Sequence, residues 1–225
     1  MFFNPIYYLF VAPAFLLGLW AQFRLQTTYA AAQRMPAPLS GAAAARHVLD
    51  SAGLTDVAIE PIAGQLSDHY DPRDKVLRLS ADVYERRTLA AVGIAAHEAG
   101  HALQHAQGYL PLTVRNAAVP LAGFGSGAGI WMIFLGAIFQ MPALLSLGII
   151  LFAAVVFFQV VNLPVEFNAS SRAKAQLVSL GIINNEDLYY VNKVLSAAAL
   201  TYVAATLQAI MTLVYLIFRY GGRRN

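Results

Sequence analysis

The chain has 225 residues, 58% of them apolar, and a mean hydropathy of +0.56, which is more apolar than a soluble globular domain of this size. Fifteen basic and twelve acidic residues leave a net charge of +3 with no long basic run, which argues against nucleic acid as a partner. Cysteine is absent, so a disulfide framework and a thiol nucleophile are excluded, and any metal site must be built from His, Asp and Glu.

In chain order, residues 5–23 form an uncharged apolar stretch near the ~20 residues that a helix needs to cross the hydrocarbon of a bilayer. The competing reading is a signal peptide. It lacks the basic residue ahead of the apolar core and a small-x-small cleavage site behind it, so a first span is expected. Residues 24–115 hold all five histidines and most of the charge, and are expected to form a water-facing catalytic domain. Within it, residues 38–52 suit a short helix with Ser40 as N-cap and Gly53 after its end. Residues 57–80 read as two short strands, 65–70 and 75–80, around an Asp71-Pro72-Arg73-Asp74 turn. Residues 88–106 are alanine-rich and free of proline, and predict a helix.

Two more spans are expected at 117–139 and 143–163, joined by a tight turn at Gln140-Met141-Pro142. In the first of them, Gly123, Gly125, Gly127 and Gly129 place small residues four apart, a signal for close helix packing in lipid. A polar helical segment, 164–195, precedes a fourth span at 196–218 that ends in Arg219, Arg223 and Arg224. The first half of that last stretch contains Thr201, Tyr202, Thr206 and Gln208, so burial against the catalytic domain is an alternative for it. The expected fold class is a mainly α multi-pass membrane protein with a small α+β catalytic domain.

The chemistry is carried by His97-Glu98-Ala99-Gly100-His101. On a helix, an H-E-x-x-H spacing puts the two imidazoles one turn apart on one face, able to hold a single zinc ion. Glu98 is placed to take a proton from the water that adds to a scissile carbonyl and to hand it on to the leaving amine. Two histidines and a glutamate in an otherwise small, apolar run would be costly to bury without a compensating cation. A catalytic zinc usually takes a third protein ligand, and Glu166 is the choice. Two spans leave and return after the zinc helix, so Glu166 emerges on the same side as that helix. The competing role for Glu166 is a favourable charge in the first turn of a helix. His105 continues the His97 and His101 face and is an auxiliary candidate, as are His69 and Tyr109, with Tyr70 beside His69. None of them has a role fixed by spacing.

Four blocks in order carry a resemblance to a known family. They are Leu66-Ser67-Asp68-His69-Tyr70-Asp71-Pro72, Ala95-Ala96-His97-Glu98-Ala99-Gly100-His101-Ala102, Leu163-Pro164-Val165-Glu166-Phe167-Asn168-Ala169-Ser170-Ser171-Arg172-Ala173, and Ala197-Ala198-Ala199-Leu200-Thr201-Tyr202-Val203-Ala204. In these the chain resembles the YugP-like membrane zinc metallopeptidases from about Gly64 to the C-terminal span. The layout is more distantly similar to HtpX-type and CAAX-prenyl membrane endopeptidases, in which a Glu followed by Ala-Asp completes the site. Glu166 and Ala169 match that pattern, while Ser170 stands where the aspartate would orient a zinc-bound imidazole. The resemblance implies a gluzincin-like peptidase whose edge strand, 75–80, holds an extended substrate by β-addition.

The expected function is therefore a membrane-bound zinc endopeptidase with one Zn2+ per chain. Its expected partners are the lipid bilayer, peptide or membrane-protein substrates, and a larger membrane-protein complex. Rival readings are a zinc-binding membrane scaffold or quality-control partner without peptidase activity, and a small transporter built on the glycine-rich hairpin. Glu98 argues against a purely structural zinc site, and the lack of charge inside the spans argues against an ion pathway. Six basic residues flank the spans on the catalytic side (Arg24, Arg34, Arg115, Arg172, Lys174, Lys193), against three on the other. That balance points to an active site facing the cytoplasm, with a bacterial-type cell membrane as the expected location.

Overall fold

The computed structural model describes residues 5–221, and Arg223 and Arg224 of the charge argument lie outside them. The described chain is mainly helical. Helix α1 covers Pro5–Gln33 and α2 covers Gly41–Ser51; strands β1, β2 and β3 cover Ala58–Ile62, His69–Asp71 and Val76–Ser80. Helices α3 (Ala81–Glu85), α4 (Leu89–Ala106) and α5 (Leu110–Phe124) follow, then a π-helical turn at Gly125–Gly129, α6 (Ile130–Ile138), α7 (Pro142–Ser179) and α8 (Leu188–Tyr220).

Four stretches among the described residues are long and apolar enough to cross a membrane: Pro5–Gln33, Leu110–Ile138, Pro142–Ser179 and Leu188–Tyr220. Each overlaps one of the expected spans and outruns it at one end or both. The largest difference is at Pro164, where the sequence predicts the end of a span. Helix α7 instead runs on through it to Ser179, because an interior proline removes one N–H from the ladder without compelling the chain to leave the helix. Glu166 therefore sits mid-helix, and the first-turn role for its charge is ruled out.

The chain divides into two compact units. The first comprises residues to Ala21, Thr113–Pro164 and those from Leu200 on. Its packing rests on small residues where backbones meet. A Cβ on Gly125 would fall on the carbonyl oxygen of Leu151, one on Gly129 would lie 3.1 Å from Leu151 Cβ, and one on Gly148 would lie 2.8 Å from the Gly129 carbonyl. Gly123 and Gly127, of the same run, face open space. Ile133, Phe152, Tyr215 and Leu216 form the buried cluster of this unit, with the Tyr7 ring edge-on to Tyr215 at 5.1 Å. Arg115 is held by Asn162, whose Oδ1 accepts from Nε at 3.0 Å.

The second unit comprises Gln22–Leu112 and Val165–Ala199. Helix α2 starts as its sequence predicts, with Ser40 Oγ accepting from the Ala43 N–H, and Gly53 follows its end at a φ of 74°. The hairpin of β2 and β3 is antiparallel, and β1 lies parallel to β3 on the other side, giving the order β1-β3-β2. This corrects the expected substrate edge. Strand β3, at 75–80 in the sequence reading, is central with both neighbours taken, and its Val76, Leu77, Leu79 and Ser80 are buried for that reason. Strand β1 is an addition to the two strands that the sequence predicts, and its Pro61 is accommodated because β1 is an edge.

Helix α4 runs through the middle of this unit. Its alanines and glycines leave little girth, and residues on all its sides are buried against α2, β3, α3 and the end of α7. Leu49, Leu77, Leu79, Val83 and Leu177 pack around it together with its own Leu89 and Val92, each worth about 1.5–3 kcal/mol of burial.

Candidate metal centre

His97, Glu98 and His101 lie in the second half of α4, and the helical repeat sets the two imidazoles one turn apart. Opposite them, Val165, Ala169, Ala173 and Leu177 form a fully buried stripe at four-residue steps on α7, with Glu166 and Ser170 one position round from it. This stripe is why Glu166 points at α4 rather than outward. The two helices can approach because position 100 has no side chain: a Cβ there would lie 2.7 Å from the Ala169 carbonyl oxygen.

The result is a compact donor set. Glu166 Oε2 lies 3.2 Å from His97 Nε2 and 3.8 Å from His101 Nε2, and the ligating atoms of the three residues all fall within 4.8 Å of one another. A tetrahedral zinc with bonds of ~2.0–2.1 Å separates its ligand atoms by roughly 3.3 Å, so the spacing suits such an ion. The chemistry suits it as well, since two imidazole nitrogens and one carboxylate, all mostly buried, are the donor types of a zinc site with three protein ligands.

Ionisation follows from the same crowding. Burial pushes the Glu98 carboxyl up to about 7, with His97 opposing the shift and the charges of Glu166 and Asp68 adding to it. For His97, burial disfavours the charged ring, but the hydrogen bond to Glu166 and the charges of Glu98 and Glu166 outweigh it and hold the ring above the usual histidine range.

Around the three donors lie groups that orient them. Ser170 Oγ is 3.1 Å from His97 Nδ1, so a hydroxyl occupies the place where the resemblance implies an aspartate. His101 Nδ1 is 3.0 Å from Gln104 Oε1. Gln104, which is fully buried, is not among the residues that the sequence singles out; the available signal is a lone amide three residues beyond His101 in an alanine-rich run. Its own partners are the Val165 carbonyl and Asn168 on α7.

The auxiliary candidates are placed more loosely. His105 is exposed on α4, and its Nδ1 is 2.9 Å from the hydroxyl of Tyr70 on β2, which ties the strand to the zinc-motif helix. His69 Nδ1 donates to the Ser67 carbonyl at 2.8 Å. Asp68 accepts from the Ser80 N–H at 2.7 Å and from its hydroxyl at 3.0 Å, pinning the approach to β2. Tyr109 lies beside Arg172, whose guanidinium is 5.8 Å from the ring centroid. None of these belongs to the three-donor cluster.

The family model described as "Putative neutral zinc metallopeptidase" matches residues 7–221. Among curated proteins, the chain is 47% identical over 213 residues to the "Putative membrane protease YugP" of Bacillus subtilis (strain 168), covering 93% of this chain and 95% of that protein. No solved structure matches. With nearly the whole chain matched and a His-His-Glu donor set in place, the protein belongs to the neutral zinc metallopeptidase family that this model describes.

Proposed function

We propose that the protein is a membrane-bound, zinc-dependent endopeptidase in which His97, His101 and Glu166 hold one Zn2+ and Glu98 is the general base. The observation that carries this reading is the convergence of two imidazole nitrogens and a carboxylate from separate helices, with a further carboxyl directly beside them. A zinc ion bound there supplies a Lewis acid for water and for the scissile carbonyl. Everything else falls to side chains. A carboxyl raised to about 7 by burial is poised to give or take a proton near neutrality. Glu98 takes the proton of the attacking water and delivers it to the leaving amine, with no covalent acyl-enzyme. Ser170 and Gln104 keep the two imidazoles aimed, and the close-packed helix pair keeps the donors mostly out of bulk solvent.

In this reading residues 24–115 together with 164–195 act as a zincin-like catalytic part built on the H-E-x-x-H helix, and the four apolar stretches anchor it in a bilayer. His69, His105 and Tyr109 serve the approach of the peptide, His105 through its tie to Tyr70. The excess of basic residues beside the catalytic part supports a cytoplasmic active site, and the membrane setting supports peptides or membrane proteins as substrates.

The test is metal content and casein cleavage by the detergent-purified protein and by Glu98→Gln. About one zinc per chain in both, with cleavage in Glu98→Gln lowered by at least ~100-fold, is expected. Full activity in Glu98→Gln, or no zinc in the native protein, would overturn the proposal.

A further inference from the structure

Ring nitrogens and side-chain amides are alike in outline, so which atom donates is settled by partners that can play only one role. Two such partners flank Gln104. The main-chain carbonyl of Val165 can only accept, and it lies 2.8 Å from Gln104 Nε2. The guanidinium of Arg172 can only donate, and its Nε lies 2.6 Å from Asn168 Oδ1. That same oxygen accepts from Gln104 Nε2 at 3.0 Å. Both hydrogens of the Gln104 amide are thereby committed to α7, and its oxygen is turned to His101 Nδ1 at 3.0 Å. An amide oxygen only accepts, so the Nδ1 of His101 must carry the proton. In the neutral ring the lone pair is then on Nε2, on the side of Glu166.

We propose that Gln104 is a positioning residue: anchored by the Val165 carbonyl and the Asn168–Arg172 pair, it locks His101 in the Nδ1–H form that presents Nε2 to the metal. The inference rests on the metal-centre reading above and adds to it a residue outside the three donors. The lock is specific to one histidine. His97 Nδ1 meets the hydroxyl of Ser170, which can donate or accept, so nothing in that contact fixes the proton of His97. It is also over-determined, since flipping the Gln104 amide would set its oxygen against the Val165 carbonyl and the Asn168 oxygen together. Arg172 itself is steadied by Gln107 Oε1 and by the Tyr109 ring. The tautomer of a buried ligand is thus set by a partly exposed cation through two amides, in the place where other metal sites use a carboxylate.

The experiment uses the full-length protein in detergent, labelled with 15N-histidine. The histidine tautomers are read by NMR without metal, and zinc affinity is measured by competition with a chromophoric chelator. Native protein should show His101 protonated at Nδ1. Gln104→Met keeps length and shape but removes the acceptor, so the Nε2–H form should appear and the zinc dissociation constant should rise by about 10–100-fold. Asn168→Asp still accepts from both Gln104 and Arg172, so it should keep the native tautomer and affinity within about twofold. A native His101 in the Nε2–H form, or Gln104→Met with unchanged tautomer and affinity, would overturn the assignment. Should Gln104→Met fail to fold, the native tautomer read without metal decides alone: His101 protonated at Nδ1 supports the assignment and the Nε2–H form overturns it. Absence of zinc binding in the native protein would instead sink the metal-centre reading, and the tautomer, read without metal, would still decide the role of Gln104.

Discussion

Replacing Gly100 by alanine adds one methyl group at the closest approach of α4 and α7. Its Cβ would meet Ala169 oxygen at 2.7 Å and the Ala169 carbonyl carbon and Cα at 3.3 Å. All three are backbone atoms, so no rotamer change relieves the contact. An unstrained carbon-to-carbonyl-oxygen distance is about 3.3 Å, so the α7 backbone at Ala169 must recede by roughly 0.6 Å. Glu166 is one turn earlier on the same helix and moves with it, while metal–ligand distances tolerate only about 0.2 Å. Fold stability should change little. Overpacking costs about 1–3 kcal/mol, and alanine regains about 1 kcal/mol of helix propensity over glycine. The expected result is therefore a protein with melting close to native whose zinc dissociation constant, measured by chelator competition, is weaker by at least about tenfold. Gly93→Ala is the matched control. On the same helix its Cβ meets only the Val191 side chain, at 3.0 Å, and a methyl group can give way. Zinc binding by Gly100→Ala equal to that of Gly93→Ala would refute the claim that helix separation sets the ligand geometry.

The hairpin offers a similar contrast without a metal. Gly125→Ala should destabilise the protein by up to about 2 kcal/mol net, because its Cβ falls on the Leu151 carbonyl and helix propensity offsets only about 1 kcal/mol of the overpacking, whereas Gly127→Ala, facing open space, should be neutral or gain up to about 1 kcal/mol. Thermal denaturation in detergent reads both, and equal effects would dismiss the packing account. Asp68 makes a pH prediction. Burial holds its carboxyl above the usual value in spite of the Ser80 hydrogen bonds, so the folded state binds the proton more tightly than the unfolded state does. Its favourable contribution is complete below the ordinary aspartate range and is lost as pH rises through the raised folded pKa. Asp68→Asn, which keeps an acceptor for the Ser80 N–H, should gain stability relative to the native protein as pH rises above the ordinary aspartate value of about 4. A difference that is flat, or that grows toward acid, would contradict it.

Local signals are legible wherever the chain states them within one turn. Ser40 and Gly53 bracket α2, the alanine-rich run from residue 88 folds as α4, and the His97 to His101 spacing sets two imidazoles one turn apart on it. Glu166 is reachable only by arguing that two apolar stretches return the chain to the same side, and it does converge on the two histidines. What does not show in the sequence is long-range. Alternation at 75–80 marks a strand but says nothing of its neighbours, and the half-exposed β1, with Glu60 and Pro61, carries no strand pattern to suggest that β3 lies inside the sheet. Pro164 reads as a break because the rule describes a tendency, and α7 runs on through it to Ser179. Gly123, Gly125, Gly127 and Gly129 look equivalent on paper, yet only the second and fourth meet a neighbouring helix. Gln104 is silent for a related reason: a lone amide acquires meaning only when the carbonyl and the cation across from it are known.

The sheet leaves one further consequence for how such a protein would choose what it cuts. The edge beside α4 is β2, and it is three residues long. At about 3.3 Å per residue it offers roughly 10 Å of unpaired backbone, enough to grip about three residues of an extended guest and no more. A grip that brief reads little sequence and holds a free peptide weakly. On the peptidase reading proposed above, selection would lie in delivery: a polypeptide tethered in the same bilayer is presented at high local concentration, while the same residues on a freely diffusing peptide are not. Discrimination would rest on where a chain resides more than on what it spells.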